Sequence, residues 1–491
     1  MTGPEARPVV AAGSVVLPLA LAQFVASYAG SNMNVAISTI AADIGTTVIG
    51  MQATITLFTL TMASLMVPGS KLTDIWGRKL CFMIGLAVYG VGALLAASAQ
   101  GLGVMLVGYS LLEGVGSALL IPPIYILITV LFTDTKTRAK YFGLVSGAAG
   151  LGAAAGPLIG GLVTSTISWR ASFILQVLVV ALVALLARRI DDPPREGPAP
   201  HFDLIGAILS AAGLFFVVFG ILQSSTYGWL VSRKDFTIGN TVVIPEGGIS
   251  VVWLYVAIGV LFLVWFFLHV RSVEKAGKDP LVSSRLFRNR TSNLGLVTQN
   301  VQWLTMQGSF FVISVFLQQV RGYNAIQTGL MLVPATIGIL LASAAAERLA
   351  RRRTQRFLIR RGFAVMIVGL VLLLALVREH SSIWTFVPGL FLIGAGIGVM
   401  LTSSVNVVQS AFPERDQGDI SGVSRSVSNL GSSLGVALAG SVLAAAAFPG
   451  NHPFALSLII MTVIAVVGFV AALLIPKTVQ SVDSGGTSPP K

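Results

Sequence analysis

The sequence predicts an all-α polytopic membrane protein with about fourteen spans, and three observations carry that prediction. The 491 residues are 55% hydrophobic and only 10% charged, with mean hydropathy +0.86, more apolar surface than a soluble core hides. Apolar windows of about 20 residues, the length that crosses a bilayer, recur along the whole chain. Basic residues collect in alternate connections, which is how spans are oriented in a membrane.

The windows fall near 14–37, 51–69, 80–99, 103–130, 141–165, 171–187, 205–224, 250–269, 292–318, 328–346, 362–377, 385–408, 421–447 and 455–475. The first follows a single basic residue, Arg7, and is expected to be a retained helix rather than a cleaved signal. One set of alternate loops holds Lys71, Arg78 and Lys79, then Lys136, Arg138 and Lys140, then Arg188, Arg189 and Arg195, then the basic stretches around 271–290 and 348–361. The other set holds little beyond Arg170, Arg233, Lys234, Arg321 and Arg378. This asymmetry puts both termini in the cytoplasm of a multi-pass plasma-membrane protein. The net charge of +13 is therefore read as a topology signal that touches anionic lipid heads, and nucleic acid is not expected as a partner.

Grouping the windows gives three blocks: residues 1–190 with six spans, 191–290 with two, and 291–491 with six and a short tail. The join "RRIDDPPREGPAPHFD" reads as a cytoplasmic linker. The join 271–290 intersperses Leu281, Val282, Leu286 and Phe287 with basic residues, the pattern of a segment lying on the membrane surface. The loop 227–249 is the longest on the opposite side and is expected to form a small hairpin. Two six-helix bundles around a central path bind substrate near the midplane and alternate between two faces in transporters built from repeats. The single cysteine, Cys81, excludes an internal disulfide, and the four histidines lie far apart in sequence. No cofactor and no metal site is expected, and the spans lack the clustered nucleophiles, bases or ligands an enzyme needs.

Three motifs carry more specific information. The loop after the second window reads "GSKLTDIWGRK"; Gly69 and Gly77 permit tight turns, and Asp74 faces Arg78 and Lys79 at a helix junction. This loop resembles the G-x-L-x-D-x-x-G-R-K signature of the major facilitator superfamily, which implies a conformational gate with Arg138 as the ion-pair partner of Asp74 or its neighbours. The fifth window, "GLVSGAAGLGAAAGPLIGG", places Gly143, Gly152, Gly156, Pro157, Gly160 and Gly161 at the spacing of the antiporter motif of exporters in that superfamily. Small residues let helices approach closely, and the proline kinks the span. The stretches "NVAISTIAADIG", "WRASFI", "FDLIGAIL", "SRLFRNR" and "GYNAIQTGLMLVP" are similar to its fourteen-helix drug:proton antiporter branch. The resemblance implies the major facilitator fold, two six-helix bundles plus two extra helices. It also implies export of small amphiphilic compounds, often cationic drugs, driven by protons.

The chain departs from that branch where an acid and a base are usual. Ala29 stands where the branch has an Asp, five residues before Asn34, and Ser110 stands where it has an Arg. The second-half copy of the gating loop, "AERLARR", places Glu347 where Gly and Arg351 where Asp are expected. These departures leave open an uncoupled facilitator or a lipid-like flippase.

Glu113 is the acidic residue that lies well inside a window, about 15 Å along the fourth span and so near the midplane. A charge there costs at least ~2.5–3.5 kcal/mol, so the side chain is expected to face the protein interior or water. Two readings stand: a proton-carrying carboxyl, or a neutral hydrogen-bonding link in place of the Gln common in the family. For the substrate path, Gln299, Gln302, Trp303 and Gln307 fall on one arc of the ninth span at about 100° per residue, with Asn32, Asn34 and Ser110 as companions. Amides beside aromatic surface suit an amphiphilic ligand, and a monomer is expected.

Overall fold

The computed structural model describes residues 12–132, 135–190, 192, 201–238, 241–350, 352–412, 417–445 and 452–476. The first half runs through α1 (Ala12–Asp43), α2 (Val48–Trp76), α3 (Arg78–Ala97), α4 (Leu102–Met105), a π-helical stretch (Leu106–Glu113) that continues into α5 (Gly114–Leu131), α6 (Thr135–Thr166) and α7 (Trp169–Ala187). Then come α8 (Leu204–Tyr227), a hairpin of β1 (Phe236–Ile238) and β2 (Thr241–Ile244), α9 (Val251–Lys275) and a 3-10 turn (Ser284–Arg288). The second half holds α10 (Arg290–Val315) with a π-helical end (Phe316–Val320), α11 (Ala325–Met331), α12 (Val333–Ala350), α13 (Gln355–Leu376), α14 (Phe386–Gln409), α15 (Gln417–Ala445) and α16 (His452–Leu474).

Twelve of these helical runs are each long and apolar enough to cross a membrane, and α6 adds a thirteenth although it bends by 41° between Gly143–Ala153 and Ala155–Thr166. Pro157 follows that bend and withholds the backbone N–H that a straight helix would give to residue 153. The remaining window is α10, 26 residues long but polar. Its Gln299, Gln302 and Gln307 are buried against protein, so its polarity never meets lipid. All fourteen windows thus hold a helical run.

Local chemistry sets the breaks. Gly77 turns the chain from α2 into α3 at φ +99°, a conformation that a side chain would strain. Asn289 starts α10 by accepting from the N–H groups of Thr291 and Ser292. Asn324 and Gln327 cap each other's backbone at the start of α11. The hairpin of 227–249 pairs Thr237 with Val242 and Ile238 with Thr241, antiparallel.

One core gathers Leu19, Phe58, Tyr89, Tyr109 and Phe173 from the first half, and another gathers Phe316, Phe363, Leu390 and Ile393 from the second. A third lies under α8 and α9. It corrects one expectation: Leu281, Val282 and Leu286 are buried there against Phe266 and Phe412, not spread on a lipid surface. Their apolar side chains find protein within reach, which leaves less area in water than an interfacial helix does.

The two halves meet along α2 and α15, from one end of the molecule to the other. Gln52 Nε2 donates to the Ala437 carbonyl at 3.0 Å and Ser433 Oγ to the Thr56 carbonyl at 2.9 Å. Ser426 Oγ donates to the Ala63 carbonyl, and Lys71 pairs with Asp419 at 2.9 Å. Helix α8 packs on both α2 and α15 and so flanks this seam. Lys71 marks the basic end of the molecule.

Candidate functional site

Glu113 closes the π-helical stretch, with its backbone pressed against α3. A Cβ on Gly92 would lie 2.7 Å from the Glu113 nitrogen, so only glycine allows this approach. The wider π turn is a departure from regular helix often found at functional positions. The Glu113 side chain is 0% exposed. Tyr89 of α3 lies beside the carboxyl, yet its hydroxyl donates to Gln176 Oε1 at 2.5 Å. A phenol has one proton to give, and among the described residues neither Glu113 oxygen receives a hydrogen bond. A charged carboxylate without donors is costly in such a place, whereas a carboxylic acid carries its own donor.

Polar groups continue from there across the bundle. Ser172 lies one turn before Gln176 on α7, and its hydroxyl meets Tyr28 Oη at 2.6 Å and accepts from Asn32 Nδ2 at 2.8 Å. Tyr109 stacks on Phe58 with ring centres 4.5 Å apart and donates to the Ala29 carbonyl at 3.1 Å. Ser110 donates to the Thr54 carbonyl at 2.7 Å. At the two positions where the related branch carries an acid and a base, the structure therefore has a backbone carbonyl held by a phenol and a hydroxyl held by α2.

The side chains selected for the substrate path divide among several neighbours. Asn32 works within the first half, and the Asn34 carbonyl accepts from Gln318 of the second at 2.9 Å. Gln299 joins α15 through Ser424 (2.9 Å) and Ser428 (2.8 Å). Gln302 accepts from Ser404 of α14 at 2.8 Å. Gln307 crosses to the Gly30 carbonyl of α1 at 3.4 Å, and Trp303 is half-buried against the second core. Of the four residues on the α10 arc, Gln307 is the one whose hydrogen bond spans the halves.

The motif loop is built around an acid outside it. Asp192 accepts from Arg78 at 3.4 Å and from the Lys79 N–H at 3.0 Å, while Lys79 Nζ donates to the Arg188 carbonyl at 2.8 Å. Gly69 sits so close to α5 that a Cβ would lie 2.3 Å from the Ala118 carbonyl oxygen. Asp74 is half-buried on the last turn of α2. The Arg138 side chain, its expected partner, lies outside the described residues, as do those of Glu347 and Arg351. Asp192 was hidden in a stretch that looked like linker; its signal was the acidic pair that follows Arg188 and Arg189 after Ile190.

In α6 the glycines serve two neighbours. A Cβ on Gly152 would lie 2.3 Å from the Phe24 carbonyl oxygen of α1, one on Gly156 would strike Ser31, and one on Gly160 would strike Asn32. Gly161 instead packs on the Ala325 carbonyl oxygen of α11, and Gly329 returns the contact on the Pro157 carbonyl oxygen. Gly143 has no atom within 4 Å of a built Cβ.

Comparison with known proteins agrees with this architecture. The family profile of the Major Facilitator Superfamily matches residues 19–268 and 236–436. Puromycin resistance protein pur8 of Streptomyces alboniger is 29% identical over 436 residues, 88% of this chain and 82% of that protein. Multidrug resistance protein Stp of Mycobacterium tuberculosis is 27% identical over 396 residues, 81% of this chain and 69% of that protein. Cephamycin export protein CmcT of Amycolatopsis lactamdurans is 27% identical over 440 residues, 89% and 86% respectively. With a profile match over most of its length, thirteen helical runs long and apolar enough to cross a membrane, and relatives named for resistance and export, the chain belongs to the Major Facilitator Superfamily of membrane transporters.

Proposed function

We propose that this protein exports amphiphilic small molecules across the plasma membrane by alternating access, with protons as the counter-ion and Glu113 as the group that carries them. Both termini lie in the cytoplasm in this reading, and the basic end of the bundle faces it. Relatives named for resistance to puromycin, for multidrug resistance and for cephamycin export support small-molecule efflux. The observation that carries the coupling is a fully buried carboxyl group without a donor, set beside a tyrosine and a line of polar side chains through the first half. Residues 1–190 and 291–491 act as the two rocking bundles, the loop from Gly69 to Lys79 as the gate near the cytoplasm, and the glycines of α6 as the surface on which α1 and α11 move. The protein works as a monomer.

A second reading, an uncoupled facilitator or lipid-like flippase, is favoured by Ala29 and Ser110, which bring no charge to the positions where the related branch pairs an acid and a base. One experiment separates them. In proteoliposomes holding the full chain, flux of a panel of dyes and lipids is followed with and without a pH gradient. Accumulation against the dye gradient that collapses with the pH gradient is the antiporter result; equilibration indifferent to pH is the facilitator result.

A further inference from the structure

The most telling charge between the two halves is a cation. Arg425 stands eight residues into α15, roughly 12 Å from its basic end, deep enough that an unpaired charge needs a reason. It reaches across the seam to the first half. Its guanidinium carbon lies 4.9 Å from the centre of the Tyr125 ring of α5, and it donates to the Tyr125 hydroxyl. That hydroxyl in turn donates to Gln23 Oε1 of α1 at 3.4 Å. Among the described residues no carboxylate pairs with Arg425. Guanidinium carries five N–H groups in a planar fork, and the hydrogen bond to Tyr125 takes one direction only. Arg425, Tyr125 and Asn429, one turn further along α15, are each partly exposed. Arg425 of the second half and Tyr125 of the first meet here, so the guanidinium keeps accessible surface at the seam between them.

The geometry points to an anion-recognising subsite: Arg425, steadied over the ring of Tyr125, takes the acidic oxygen pair of an amphiphilic substrate as it enters from the basic end. The preferred cargo is then an amphiphile carrying a carboxylate or a comparable oxyanion, its apolar body lying against Tyr125. Glu113, fully buried in the first half, is no counter-charge for a cationic drug in this cleft. The inference rests on the efflux reading for its purpose, but the subsite stands or falls on binding alone.

Dansylglycine and its neutral amide, dansylglycinamide, test it, because the two differ only at the carboxylate. Binding to the full chain in nanodiscs is read by energy transfer from tryptophan to dansyl. Wild type should bind the acid about tenfold more tightly than the amide, the scale of one charge-assisted contact. Arg425→Gln should equalise the two by weakening the acid alone, and Arg425→Lys should keep part of the preference. A wild type without preference for the acid, or an Arg425→Gln protein that keeps it, overturns the subsite. If Arg425→Gln binds neither probe, Arg425→Lys decides, and equal binding of both probes there is again fatal. Transport is scored separately in proteoliposomes. A wild type that prefers the acid yet moves neither probe removes the efflux reading and leaves the subsite intact.

Discussion

Gln318 grips the backbone of α1 at Asn34: its Nε2 donates to the Asn34 carbonyl and its Oε1 accepts from the Ser38 N–H, both at 2.9 Å. These two backbone groups are the ends of a single i, i+4 rung, so one side chain from the second half spans one turn of the first. The contact lies at the end opposite Lys71, where Ser165 Oγ also accepts from the Ile326 N–H at 2.9 Å. This amide thus ties the second half to the first at that end, as a clamp would.

Gln318→Leu should therefore loosen that end. Two hydrogen bonds at about 0.5–1.5 kcal/mol each shift the open-to-closed ratio by roughly 5- to 150-fold. Spin labels on the α1–α2 and α13–α14 turns should report a longer distance in Gln318→Leu. Its exposed neighbour Gln319, changed to Leu, should leave the distribution as in wild type. An unaltered distribution in Gln318→Leu would show that the clamp carries no weight.

The motif glycines of α6 should not be equivalent. At Gly152 an added methyl meets the Phe24 carbonyl oxygen at 2.3 Å, and backbone cannot step aside as a side chain can. Gly152→Ala should cost about 1–3 kcal/mol of stability through that overlap. Gly143→Ala meets nothing within 4 Å and should gain about 0.5–1 kcal/mol from reduced backbone freedom in the unfolded chain. Thermal unfolding in detergent reads both; a Gly152→Ala protein as stable as Gly143→Ala would mean that α1 and α6 can part at no cost.

These contrasts mark what the sequence makes legible. Spans could be drawn because lipid-facing helices need long apolar runs, and Glu113 stood out because an acid breaks such a run. Gly152, Gly156, Gly160 and Gly161 pack closely while Gly143 meets nothing, and which neighbour each glycine serves is a three-dimensional fact. Gln318 and Asn34 are 284 residues apart, and Arg425 and Tyr125 are 300 apart; no local period encodes either meeting. The α10 arc illustrates the same limit. Gln299, Gln302 and Gln307 share a broad face by periodicity, yet α10 is surrounded by α14, α15, α16 and α1, so each amide finds a different helix. For Leu281, Val282 and Leu286 the pattern was right about an apolar face and wrong about its partner, since bilayer and protein look alike to a sequence.

Asp203 should hold α8 and α9 together through a cluster at the start of α8. It caps Gly206 N–H at 2.8 Å, meets His269 Nε2 of α9 at 2.8 Å and accepts from Leu281 N–H at 3.2 Å. Burial alone would raise its carboxyl, but these hydrogen bonds outweigh it and hold the group below the usual carboxylate range. A depressed folded value means that the contribution is complete above the unfolded value of ~3.9 and is lost only on acidification through the lower folded value. Asp203→Ala should cost about 1–2 kcal/mol through the lost cap alone. In a His269→Gln background the difference in unfolding temperature between Asp203 and Asp203→Asn should stay constant from pH 5 to 8. A difference that grows or shrinks across that window would mean that Asp203 titrates there, against the geometry.

Glu113 and Tyr89 should separate coupling from stability. Glu113 accepts no hydrogen bond from the described residues, so Glu113→Gln, nearly identical in shape, removes no native partner and should unfold within about 1 kcal/mol of wild type. Its transport should change in kind: exchange of dye across the membrane continues, while accumulation driven by a proton gradient disappears. Tyr89→Phe is the reverse case. It withdraws the hydroxyl that serves Gln176 Oε1 and leaves a buried amide oxygen without a donor, a cost of about 1–3 kcal/mol. Proton-driven accumulation by Tyr89→Phe should persist, at a reduced level of folded protein. Uphill export by Glu113→Gln at the wild-type rate under the same pH gradient would place the proton site elsewhere, because an amide in that position has no proton to release at any working pH.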